Sequence, residues 1–155
     1  KPMLAAVCGP AVGIGTTLLL HCDLVYAGDN AAFSLPFVNL GLCPEAASSL
    51  LLPQMLGYHR AAEALLLGEP FMAEAAPEAG LVNRALPPTA RHAYAPKPLA
   101  SLVATKRLMK QGQQAATLQR IEEEGHTFGQ LLRGPAAKEA FSAFMQKRRP
   151  DFSGC

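Results

Sequence analysis

The chain has 155 residues, half of them apolar (50%) and only 17% charged, with 14 Lys and Arg against 12 Asp and Glu for a formal net charge of +2. That is about one domain's worth of chain, and it excludes a disordered tail, which needs low hydrophobicity and high net charge. It also excludes a chain-wide basic footprint for nucleic acid, and no stretch reaches the roughly 18 apolar residues of a membrane span.

Met3–Cys8 is short, apolar and bounded by Lys1-Pro2 and Gly9-Pro10, which predicts a buried strand. Gly9, Pro10, Gly13 and Gly15 predict a tight loop. Ile14 to Cys22 reads as a short, almost wholly apolar helix, buried all round. Leu24–Ala27 is a second strand, closed by the turn pair Asp29-Asn30, and Ala32–Leu35 a third. Pro36 to Pro44 is apolar but broken by Pro and Gly, as in an ordered loop lining something. From Glu45 the pattern turns helical, with Pro44 at the start, a break or kink at Pro53 and a stop at Gly57. His59–Leu67 is a helix ended by Gly68, Ala73–Ala79 a short one ended by Gly80, and Leu81–Leu86 a last strand before Pro87-Pro88. Thr89–Pro96 has no period. Apolar stripes then predict three amphipathic helices: Pro98–Lys110 (Leu99, Leu102, Val103, Met109), Gln113–Arg133 (Leu118, Ile121, Phe128, Leu131, Leu132) and Pro135–Arg148 (Ala137, Ala140, Phe141, Phe144, Met145).

An α/β part, residues 1–88, is therefore followed by a helical part, residues 97–155. So low a charge leaves more apolar surface than one chain of this size can hide, and a subunit interface is the expectation. Cys8, Cys22, Cys43 and Cys155 are widely spaced, without C-x-x-C or zinc spacing to His, so reduced thiols and no metal are expected. The chain opens without Met and is already apolar at residue 3, which reads as a fragment of a longer protein.

The segment Gly9–Gly15 follows a strand and opens a helix. It offers unpaired backbone N–H groups at a positive helix end, suited to an anion or a developing oxyanion, unless it is only a tight turn. Its glycine spacing matches neither a dinucleotide fingerprint nor a P-loop. Glu45, between Pro44 and the apolar Ala46-Ala47, is either a proton-transfer base or a first-turn carboxylate complementing a helix dipole. Asp23 and Asp29 suit turn or capping roles. His21, His59, His92 and His126 are isolated, and Glu122-Glu123-Glu124 reads as a solvated helix face. Lys147-Arg148-Arg149 is a solvated helix end by default and a ligand-phosphate contact otherwise.

Lys1-Pro2, Ala5-Ala6-Val7, Gly9-Pro10-Ala11-Val12-Gly13-Ile14-Gly15, Cys22-Asp23-Leu24, Tyr26-Ala27, Phe33, Pro36-Phe37 and Leu40-Gly41 closely resemble the crotonase (enoyl-CoA hydratase/isomerase) superfamily. Pro44-Glu45, Ser48-Ser49, Ala79-Gly80-Leu81-Val82-Asn83, Ala104-Thr105-Lys106, Lys147-Arg148, Pro150 and Phe152 fit as well, so the resemblance covers nearly the whole chain. It implies a β-β-α spiral core, of which this is the C-terminal part, followed by a helical region that makes homotrimers or hexamers. It implies an acyl-CoA thioester substrate, a place in fatty acid metabolism such as beta-oxidation, a cytoplasmic location, and no cofactor beyond the CoA of the substrate. By the same resemblance the oxyanion N–H falls on Ile14, and Ala11, Val12, Gly13, Gly15, Phe37 and Leu40 line the substrate. Lys147 and Arg148 are candidates for a CoA phosphate.

Hydratases of the superfamily carry two glutamates, at positions that here are Thr17 and Phe37, neither an acid nor a base at neutral pH. One branch of Δ3,Δ2-enoyl-CoA isomerases instead uses a single Glu in a Pro-Glu-Gly-type segment, here Pro44-Glu45-Ala46, with Ala in place of Gly. The resemblance thus favours an isomerase with Glu45 as base. A hydratase or other crotonase enzyme, and a non-catalytic interaction module, are the alternatives. Members of the superfamily carry a further helix where this chain has the short connection from Pro88 to Lys97, so a deletion or missing residues are expected between Leu86 and Pro98.

Overall fold

The strands come in successive pairs, one strand in each of two sheets, and helices follow each pair. In the computed structural model, which describes residues 1–87 and 97–155, β1 (Leu4–Val7) and β2 (Pro10–Val12) precede α1 (Ile14–Thr17). Next, β3 (Leu24–Gly28) and β4 (Ala32–Ser34) precede α2 (Ser48–Leu56) and α3 (Tyr58–Leu66). Finally β5 (Phe71–Met72) and β6 (Arg84–Leu86) complete the sheets. The first sheet has the order β1-β3-β6 and is parallel throughout, with Leu4 opposite Leu24 and Tyr26 opposite Arg84. The second has the order β2-β4-β5, with Ala11 opposite Phe33 in a parallel pair and β5 antiparallel to β4. Parallel neighbours need a crossover, and α1 with the single-turn helix Leu18–His21 supplies the first. This is the β-β-α winding that the resemblance implies.

The core lies where this coil turns inward. Phe33, Leu35, Leu52 and Leu81 are buried there, and the Phe33 and Phe71 rings stack at 5.5 Å across the β4–β5 pair. α4 (Leu99–Lys110), α5 (Gln114–Leu132) and α6 (Pro135–Met145) follow, as their stripes predict. α6 docks through its small face, Ala137, Ala140 and Ala143, all buried. The docking requires a glycine: a Cβ on Gly41, whose φ is 66°, would stand 2.8 Å from the Ala136–Ala137 backbone.

Several sequence expectations are corrected. Pro10–Val12 is not merely loop, because its backbone pairs with β4. The helix expected over Ile14–Cys22 is one α-turn followed by a 3-10 turn, and it is not buried all round: Ile14 is 60% and Leu18 53% exposed, while Thr16, Thr17, Leu19 and Leu20 are buried. The second helix starts at Ser48 rather than at Glu45, and Pro53 lies inside it without ending it, since the flanking Leu51 and Leu52 are anchored in the core. Ala73–Ala79 forms successive turns instead of a helix. Pro77 has no N–H to continue a ladder there, and the i→i−4 bond from the Ala79 N–H to the Ala75 carbonyl stands among three-residue turns. The connection expected to be shortened, between Leu86 and Pro98, falls mostly outside the described residues.

The stripes of the last three helices are only partly covered. Leu99, Leu102, Val103 and Met109 of α4, and Phe141, Phe144 and Met145 of α6, are exposed in the single chain. α4 is tied to the spiral by charge: Lys106 Nζ lies 2.6 Å from Asp23 Oδ2, which also accepts the Met3 N–H at 2.6 Å. Burial works against ionisation of Asp23, but the hydrogen bonds from Lys106 and Met3 and the nearby positive charge outweigh it and hold the carboxyl below its usual range. From sequence alone Asp23 suits a turn or cap. The structure makes it a bridge between β3 and a helix 83 residues away.

Candidate active site

The glycine loop turns on Gly13. Its φ of 55° and ψ of −117° lie where a Cβ is not tolerated. The Gly13 N–H donates to the Ser34 carbonyl at 2.9 Å, which pins the loop to the end of β4. The Gly13 carbonyl accepts the N–H groups of Thr16 (2.9 Å) and Thr17 (3.0 Å), closing the first turn of α1. Ile14 opens that helix, so its N–H has no helical turn behind it to accept it. Thr16, fully buried, donates its hydroxyl to the Ala11 carbonyl at 2.6 Å and holds the loop from below. The Phe37 ring, buried, closes over the turn, 4.0 Å from where a Gly13 Cβ would stand. Ala11 is buried in β2, Val12 is exposed, and Leu40 packs from a short 3-10 turn, Val38–Leu40, against the core. Gly15 sits in α1 above the Ala11 side chain.

Glu45 comes to this loop from the other side. Its Oε1 accepts the hydroxyl of fully buried Thr17 at 2.6 Å. Thr17 is three residues beyond Ile14 on the same turn, about 4.5 Å along the helix axis. One carboxylate oxygen is thereby fixed to the helix turn that Ile14 opens, and no partner of the Ile14 N–H is found among the described residues.

The backbone around Glu45 is strongly constrained. Its carbonyl accepts both the N–H (3.1 Å) and the hydroxyl (2.6 Å) of Ser48. Ala46 (φ 60°) and Ala47 (φ 58°) are both left-handed, which costs about 1–2 kcal/mol for each L-residue. The Ala46-for-Gly departure noted in the sequence is therefore real strain, since residue 46 takes the conformation that glycine takes freely. Two side chains from elsewhere hold the pair. His21 Nε2 donates to the Ala46 carbonyl at 2.8 Å. Glu124 of α5 accepts the Ala47 N–H on Oε2 at 2.5 Å and the Ser49 N–H on Oε1 at 2.9 Å. Arg120, one turn earlier on α5, donates to the Ser49 hydroxyl at 3.1 Å.

Both findings correct the sequence reading. His21 is not isolated. Glu124 is not part of a solvated acidic face: it is 6% exposed, and a buried carboxylate requires this kind of hydrogen bonding. A signal for it was present, because Glu124 falls on the stripe Ile121, Phe128 and Leu131 at spacings of three and four, where an apolar residue belongs. Burial, and secondarily the charge of Glu124, push the neighbouring Cys43 thiol above its usual range.

Among the described residues, no contact brings Lys147 or Arg148 to this loop. Arg148 forms a two-pronged pair with Glu139, Nη1 to Oε1 and Nη2 to Oε2, the latter at 2.9 Å. Those bonds, with the Asp151 N–H, hold the Glu139 carboxyl down at about 2. Thus Gly13, Ile14, Thr17, Phe37 and Glu45 gather, and Arg148, just past α6, is engaged with Glu139 of that helix. All four cysteines are free, and no helix among the described residues is long and apolar enough to cross a membrane.

Residues 1–155 match the family model described as enoyl-CoA hydratase/isomerase. The chain is similar to 2,3-dehydroadipyl-CoA hydratase of Escherichia coli (strain K12), 39% identical over 99% of this chain and 64% of that protein. It is similar to enoyl-CoA delta isomerase 2 of Rattus norvegicus, 51% identical over 56% of this chain and 22% of that protein. Among solved structures it matches an enoyl-CoA hydratase/isomerase from Pseudoalteromonas atlantica T6c at a TM-score of 0.91 and 38% identity, covering 99% of this chain and 65% of that one. The chain thus spans slightly less than two thirds of the hydratase relative and of that structure.

Proposed function

This chain belongs to the enoyl-CoA hydratase/isomerase family, and from that premise we propose that it forms part of an acyl-CoA isomerase that moves a double bond from C3 to C2, with Glu45 as the proton carrier. The observation that carries the reading is the 2.6 Å bond from Thr17 to Glu45, which ties the carboxylate to the helix turn that Ile14 opens. A single carboxylate stands there, held by a hydroxyl at a position where hydratases of the superfamily have a second glutamate.

The 3-enoyl thioester lies with its carbonyl oxygen toward the Ile14 N–H and C2 toward Glu45. The free oxygen of Glu45 removes a proton from C2. The electron pair spreads through the C3–C4 double bond and the thioester, and negative charge grows on the thioester oxygen. A backbone N–H aimed at that oxygen lowers the barrier by about 2.7–4 kcal/mol. Protonated Glu45 then returns the proton at C4, leaving the double bond at C2 and the carboxylate as it began. Water is not consumed, and the buried Phe37 ring where hydratases have their other glutamate favours a dry cavity. The reaction needs no cofactor beyond the CoA of the substrate.

Hydration of a 2-enoyl-CoA is the second reading, favoured by the hydratase relative that matches almost the whole chain. Incubating the full-length protein separately with a 3-enoyl-CoA and a trans-2-enoyl-CoA separates them. The expected result is conversion of the first and no water addition to the second. Hydration of the second with the first left intact reverses the assignment.

The same proposal has the exposed faces of α4 and α6 covered by self-association into a homotrimer or hexamer. Leu99, Leu102 and Met109 on one helix, and Phe144 and Met145 on the other, are too large an apolar surface for a lone chain in water. Sedimentation equilibrium of the intact protein is expected to give three or six subunits, and a monomer at micromolar concentration contradicts it.

A further inference from the structure

Glu124 is the buried charge that the chemistry above does not use. It sits in the middle of α5, in the helical region, and its two oxygens take backbone N–H groups 77 and 75 residues earlier in the chain. Those groups open α2, whose N-cap is Ala47 and which has no capping side chain of its own. A Ser, Thr, Asp or Asn would ordinarily fill that place. Here an anion is supplied from another helix instead, at the positive end of α2, where its charge is favourable.

The position of this cap is more telling than its existence. Ala47 and Ala46 are the left-handed pair, and Glu45 is the next residue back. A left-handed alanine relaxes toward ordinary angles unless its surroundings over-determine it. Such a relaxation at Ala46 or Ala47 would swing the Glu45 side chain relative to Thr17. The Glu124 bond to the Ala47 N–H and the His21 bond to the Ala46 carbonyl grip opposite edges of the single peptide that joins the pair, and oppose that relaxation.

We propose that Glu124 is a positioning residue for Glu45: a carboxylate of the C-terminal helical region that holds the Ala46–Ala47 turn in its left-handed form and so aims the proton carrier at the helix turn that bears the Ile14 N–H. The inference rests on the reading of Glu45 as the proton carrier. It makes the helical region part of the catalytic geometry, in addition to any role in assembly.

The test uses the full-length protein and a 3-enoyl-CoA. Glu124→Gln keeps the size but replaces one acceptor with an amide donor facing a backbone N–H. We expect kcat to fall tenfold or more with KM changed less than threefold, because the groups expected to bind the thioester are untouched. Amide hydrogen exchange over residues 44–49 should quicken while that of residues 50–56 stays slow. Glu124→Asp keeps the charge but draws it back by one methylene. It should lose less kcat, and it carries the same measurements if the Gln variant does not fold.

A kcat within twofold of wild type, or a tenfold loss with unchanged exchange over residues 44–49, overturns the proposal. Glu45→Gln run alongside keeps the two ideas apart. If it is inactive while Glu124→Gln is fully active, only the positioning role is lost. If it is fully active, the proton-carrier reading fails and this inference fails with it.

Discussion

Glu45→Gln is expected to lower turnover of a 3-enoyl-CoA by roughly 10²–10⁴, the usual worth of a general acid–base group. The amide is nearly the same size, and its oxygen can still accept the Thr17 hydroxyl, so the loop has no reason to rearrange. What disappears is the ability to take a proton at C2 and return it at C4. The loss should therefore fall on kcat, with KM close to wild type and an unchanged melting temperature. Transfer of substrate deuterium from C2 to C4 reports the proton shuttle directly, and it should slow in parallel. A variant that retains wild-type turnover would show that another group carries the proton.

Gly13→Ala is expected to have an effect of comparable size for a different reason. A methyl group at residue 13 would meet the Phe37 ring at 4.0 Å, an ordinary contact, so crowding is not the obstacle. The obstacle is the backbone, because φ 55° with ψ −117° is closed to a residue with a Cβ. That ψ angle sets the plane of the Gly13–Ile14 peptide, and with it the direction of the Ile14 N–H. Alanine must either bear about 1–3 kcal/mol of strain or rotate the peptide. Rotation removes an oxyanion donor, worth roughly 10²–10³ in kcat. The melting temperature should fall where the strain is kept, and kcat where the peptide rotates. If neither changes, the N–H is not aimed by this glycine.

Much of this geometry could be anticipated from the residues. Gly9–Gly15 and Pro44-Glu45 stood out because glycine, proline and a carboxylate in apolar company are local signals, and the C-terminal helices were written in their spacing. Contacts that join distant parts of the chain were not legible. Nothing near Thr17 in sequence announces an acceptor 28 residues on, and nothing near Ala47 announces a cap from residue 124. Glu124 was obscured by its neighbours: Glu122 and Glu123 are exposed, and the triplet looks like a solvated face until the helical phase of its last member is considered. β2 was hidden for another reason. Its Pro and flanking Gly residues resemble a turn, and only pairing with β4 on one side makes the segment a strand.

That one-sided pairing has a geometric consequence. Among the described residues, β1 and β2 each have a neighbour on a single flank, the first beside β3 and the second beside β4. A stack of this kind grows by adding whole windings at its rim, each templated by the one before it. Each edge presents a row of backbone N–H and carbonyl groups without a strand partner among the described residues, the surface on which a further strand can pair.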